Sequence, residues 1–303
     1  MMVRGIEATD AERERANART ESVVLKTLSS PVLDAAKSTE GIVLRSNYRT
    51  PMQRSILDRA FTEAKTLNAT GHLTDAVLQA EYGMLSAVDH ARAFATLIRS
   101  ALRHSTALLT LTRGTLEALA RPRWIMHDLD FLQLAHRSLS LLYSDLRYPE
   151  RLGELLVSRD GEDVDPGERR RHHESELERL GLPRPIRVDS STLVSELVDS
   201  DLAHQDGKRL YSLLSAVAHG HRFAVNAFIR TSQDNTILGL SPTLPIVTEF
   251  AFQIAVTLIS TAEAMVRWSG DPSDERSRID ATWTRFGARL DTLPTEAFGQ
   301  KEL

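Results

Sequence analysis

The chain has 303 residues, 42% of them hydrophobic and 26% charged, enough for a sizeable core and ordinary for a soluble globular protein. A net charge of −4 gives no global basic field for nucleic acid and leaves only a local basic groove for that role. Cysteine is absent, which excludes disulfides, thiolate metal sites and a cysteine nucleophile.

Residues 1–20 are polar and charged, with no apolar leader, and predict a mobile start to a partly ordered helical segment over 1–50. Ser29-Ser30-Pro31 and Gly41 read as breaks in it, and Gly41-Ile42-Val43-Leu44-Arg45 is the one β-like run. Thr50-Pro51 reads as an N-cap with proline in the first helical position, followed by Met52, Ile56, Ala60, Ala64 and Leu67 at helical spacing. Helical patterns follow over 73–102, from 106 to a stop or kink at Arg121-Pro122, and over 124–143. Pro149 opens a shorter helix through Leu156.

A charged insertion spans 158–190. Asp165-Pro166-Gly167 starts a helix there, residues 168–179 read as an exposed helix of interleaved charges rather than an RNA-binding patch, and Gly181 ends it. Ser190 or Ser191 caps the next helix, and others are predicted over 207–218, 222–229 and 243–268. Asp271-Pro272 starts a last amphipathic helix with Ile279, Trp283, Phe286 and Leu290, and residues 293–303 read as a tail. The apolar stretch 245–266 is interrupted by Glu249, Gln253, Thr257 and Glu263, so it reads as a core helix and not a membrane span, which implies a cytoplasmic protein without membrane contact. The predicted fold is all-α, an irregular multi-helix bundle over 51–292.

The segment Tyr211-Ser212-Leu213-Leu214-Ser215-Ala216-Val217-Ala218-His219-Gly220-His221 carries the main candidate. Tyr211, Ser215 and His219 fall at i, i+4 and i+8, a polar stripe on an apolar helix that needs hydrogen-bond partners. Arg113 and Glu117 form a second i, i+4 pair in an apolar helix and are the expected partners. As a structural latch this contact fixes the register of two helices; as a site it makes His219 a general acid or base and Arg113 an anion clamp. The latch is the favoured reading. Gly220 reads as a helix C-cap, which places His219 in the last turn.

The Arg-xxx-Glu helix followed by Trp124, with the later Tyr-xxx-Ser-xxx-His-Gly helix, resembles an uncharacterised actinobacterial all-helical family. More distantly it resembles HEPN-type helical bundles, many of which are RNases or nucleotide-transfer partners in toxin and defence systems. The resemblance covers 106–145 and 190–230, and implies a HEPN-like bundle with roles for Arg113, Glu117, Tyr211, Ser215 and His219. HEPN ribonucleases carry an Arg-x4-6-His motif. The chain has Arg99-x4-His104 and Arg121-x5-His127, but 32 Arg and 10 His give about three such spacings by chance. Proline follows Arg121, and no Arg stands at that spacing before His219.

Metal candidates are His219-Gly220-His221, Asp201-x2-His204 and His172-His173, without a Glu-x2-His pair or two His four apart. Asp89-His90, with Arg92 and Arg99 beyond, is a third candidate, read as a partly buried, hydrogen-bonded histidine rather than a catalyst. Arg121-Pro122-Arg123-Trp124 reads as a core Trp beside solvated Arg rather than a base-stacking platform. Phosphate-loop and nucleophile-elbow motifs are absent, and no cofactor or metal is expected. The functional expectation is a non-enzymatic or catalytically degenerate module that associates with RNA, a protein partner or a second copy. The alternatives are a HEPN-like nuclease or other hydrolase centred on His219, with Arg113 and Glu117, and a metal-binding bundle.

Overall fold

The computed structural model describes residues 10–45, 51–100, 104–127, 130–158, 160–202, 206–232 and 234–294, with side chains from residue 21 onward. The fold is an all-α bundle. Its first helix, α1 (Asp10–Arg45), runs unbroken through Ser29-Ser30-Pro31 and Gly41, so the predicted breaks and the β-like run over 41–45 are corrected. Packing decides this. Leu28, Val32, Ala35, Ala36 and Ile42 are buried, and several buried aliphatic side chains at about 1.5–3 kcal/mol each outweigh the roughly 3 kcal/mol penalty of one internal proline. Of the predicted mobile start, residues 1–9 lie outside the described residues, as does most of the predicted tail, 295–303.

Helix α2 (Ile56–Thr66) is capped by Ser55, whose hydroxyl accepts the Asp58 N–H at 3.0 Å. Pro51 precedes the helix as irregular chain, and the expected cap Thr50 lies outside the described residues. Helices α3 (Thr70–Arg99) and α4 (Thr106–Ile125) form an antiparallel pair, with Gly83 against Ala118 and Pro122, and Gly114 against His90. Pro122 lies inside α4 and does not end it. The next helix, α5 (Phe131–Asp145), starts at Asp130, which caps the Gln133 N–H at 2.8 Å, so the predicted 124–143 helix is two pieces.

Past α6 (Arg147–Leu152) the chain makes a short hairpin, β1 (Leu156–Val157) against β2 (Asp163–Val164), where helix through Leu156 was expected. Asp165 caps α7 (Pro166–Arg179), which is less exposed than its composition suggests. His173 and Leu177 are buried, Arg170 lies 4.1 Å from the Tyr143 ring centroid and pairs with Glu150, and His72 on α3 meets Glu176 at 2.7 Å.

Helix α9 (Gly207–Ala218) follows as predicted, and α8 (Ser190–Asp201) has Asp189 at its N-cap instead of the expected Ser190 or Ser191. Residues 222–229 instead divide into α10 (Arg222–Asn226) and the start of a second hairpin, β3 (Ile229–Thr231) with β4 (Ile237–Leu240). The 26-residue α11 (Leu244–Ser269) runs through the centre, and α12 (Ser273–Leu290) packs on it and on α1. Among the described residues α11 is the one helix long and apolar enough to cross a membrane, and about 67% of its most apolar window is buried inside the bundle.

Candidate functional site

Arg113 and Glu117 lie one turn apart on α4, and Tyr211 reaches them from the first half of α9. Arg113 Nε donates to Glu117 Oε1 at 2.9 Å, and the Tyr211 hydroxyl donates to the same oxygen at 2.8 Å. Arg113 Nη2 lies 3.3 Å from the Tyr211 hydroxyl, and its guanidinium carbon 5.4 Å from the ring centroid. The three side chains thus close a ring of polar contacts between two helices. The Arg113 and Glu117 side chains are only 21% and 31% exposed, which strengthens a charged pair beyond a surface bridge.

Electrostatics locks the protonation states. Burial is the largest influence on Arg113 and works against its charge, but the hydrogen bond and charge of Glu117, with the contribution of Tyr211, together outweigh it and the guanidinium pKa rises. Burial, and then the neighbouring Glu117 carboxylate, raise the Tyr211 hydroxyl pKa, so the phenol stays a donor.

Ser215 and His219 do not join. Neither side chain makes a hydrogen bond to Arg113, Glu117 or Tyr211 among the described residues. His219 is the C-cap of α9 and not a member of its last turn, and it is exposed. Gly220, at φ 68°, ends the helix, with the His221 N–H donating back to Ala216 O at 2.9 Å. The His219 and His221 rings stand 6.2 Å apart. Among the described residues no group of three or more His, Asp or Glu gathers in a metal-holding arrangement; His204 lies outside them.

The Arg121–Trp124 stretch departs from its prediction, because neither arginine is merely solvated. Arg121 Nη2 sits 2.7 and 2.6 Å from the two Asp145 carboxylate oxygens. Arg123 pairs at 2.8 Å with Asp201, whose side chain is 5% exposed and also accepts from the Ser260 hydroxyl. Trp124 is partly buried, with Arg137 of α5 over its indole at 5.1 Å and donating to its carbonyl at 2.6 Å. Of these, Arg137 carried no sequence signal, and Asp201, read as a metal candidate with His204, instead pairs with Arg123, 78 positions earlier in the chain.

Sequence reasoning also missed a groove between α1 and α12, of about 660 Å3, lined by Lys37, Arg45, Arg278 and Arg285 and by Asp34 and Glu40. Glu40 is taken by Arg92, with two contacts of 2.8 and 2.6 Å. Among the described residues the four groove cations make no ion pair. Their clustering follows from packing Lys37 and Arg45 beside two arginines some 240 positions later. Compared with known proteins, the chain matches no family model, no curated protein and no solved structure.

Proposed function

We propose that the protein is a non-enzymatic helical module that works by association, in the cytoplasm, with RNA as the partner its charge distribution favours. The observation that carries the non-enzymatic reading is the closed Arg113–Glu117–Tyr211 ring. Guanidinium, carboxylate and phenol are committed to one another, and His219, the candidate base from the same stripe, makes no hydrogen bond to them among the described residues. A general base must come within hydrogen-bond reach of the group it serves, directly or through one water. The contact is a latch that fixes α9 against α4.

RNA is favoured by the groove between α1 and α12, where four cations face a shared surface on a protein of net charge −4. Phosphate contacts by Lys and Arg supply sequence-independent affinity that falls steeply with salt. The test is binding of a short single-stranded RNA to the full chain, beside a cleavage assay. Binding that weakens with added salt, and by about tenfold or more in Arg278→Glu with Arg285→Glu, supports the reading. RNA cleavage abolished by His219→Ala restores the HEPN-like nuclease alternative and overturns it.

A further inference from the structure

Beside the latch, α4, α5 and α8 enclose a second cleft, of about 330 Å3, at the small end of ligand pockets. Its walls carry Trp124, Arg137, Leu193, Glu196, Leu197 and Ser200. The charges in it are unusual. Arg123, which also lines it, already has its counter-charge in Asp201. Arg137 is partly buried and has no carboxylate at ion-pair distance among the described residues. Burial pushes its pKa down, and the field of Glu196 opposes that shift only through space. Glu196 in turn makes no ion pair there. Arg137 and Glu196 therefore line one small cleft without an ion pair between them, beside His127 and the Asp201-paired Arg123, with the Leu193, Leu197 and Trp124 side chains next to them.

A simple anion placed there is attracted by Arg137 and repelled by Glu196, and a simple cation meets the reverse. A molecule with both charges satisfies both walls. Arg137 is held in place over the Trp124 ring and by its Nη1 hydrogen bond to the Trp124 carbonyl, which leaves its remaining N–H groups to meet a carboxylate, and that ring face is closed to a stacking base. We propose that this cleft binds a small apolar α-amino acid, its carboxylate on Arg137, its ammonium on Glu196 and its side chain against Leu193 and Leu197.

The probes are leucine and phenylalanine, their amines lacking the carboxylate, and their acids lacking the amino group. Each is titrated into the full chain by calorimetry, with tryptophan fluorescence followed in parallel because Trp124 lines the cleft. The expected result is an amino acid that binds at least about tenfold more tightly than its amine or its acid, about 1.4 kcal/mol. Glu196→Gln, at an exposed position that leaves folding intact, should abolish the advantage of the amino acid over the acid. Arg137→Lys keeps the charge but loses the fork, and should weaken the amino acid and the acid alike. No binding of either amino acid overturns the proposal. So does equal binding of the amine or the acid, or an amino-acid affinity unchanged in Glu196→Gln.

Discussion

Tyr211 and His219 are eight positions apart on α9, which at 1.5 Å per residue separates them by about 12 Å along the axis. Arg113 and Glu117 span a single turn of α4, so one such pair cannot serve the whole stripe. The spacing within each helix was legible in the sequence; how far along α9 the crossing falls was not, because that depends on how the α8–α9 pair seats on α4. Glu117 is the residue both others use. Glu117→Ala leaves a half-buried guanidinium and a phenol without their acceptor and should cost about 1–3 kcal/mol in denaturant unfolding. Ser215→Ala and His219→Ala should stay within about 0.5 kcal/mol of wild type, and a loss at His219 as large as that at Glu117 would return the histidine to the network.

Between elements, the misread boundaries share a cause. Pro31 and Pro122 are local stop signals that packing overrides, and the two hairpins are too short, at two to four residues a strand, to show a period. Helices with clear stop and start residues, such as α7, or with a clear apolar stripe, such as α9 and α11, were legible close to their true ends. Gly83 explains how α4 carries its proline. A Cβ at that position would meet Pro122 Cγ at 2.7 Å and Ala118 O at 2.8 Å, and the second of these is the carbonyl that the proline leaves without its helical donor. Gly83→Ala improves intrinsic helix propensity by about 1 kcal/mol, yet should lower net stability by about 1–3 kcal/mol through overpacking. A Gly83→Ala protein as stable as wild type would mean that α3 and α4 have room to separate.

Across the whole molecule, the charged insertion is a docked element, and acid should show it. Burial holds the His173 imidazole down to about 4, with Arg169, His172 and His72 pushing the same way and Glu176 opposing, and its Nδ1 is buried without a partner. The unfolded chain therefore binds the extra proton first: the stabilisation is complete above about pH 6.5 and is lost as pH falls towards 4, on the order of 3 kcal/mol. Glu176 extends the loss, since its hydrogen bond from Arg179, and then that with His72, holds it to about 2, a contribution present above its ordinary 4.5 and lost towards pH 2. His173→Leu should flatten the fall in melting temperature between pH 6.5 and 4, and an unchanged slope would place the acid sensitivity elsewhere.

The central claim is that Arg113, Glu117 and Tyr211 act as one unit joining α9, which packs on α4, α8 and α10, to the rest of the bundle. A double-mutant cycle of Glu117→Gln and Tyr211→Phe in chemical denaturation tests it most directly. The predicted coupling is about 0.5–3 kcal/mol; two losses that simply add would contradict it.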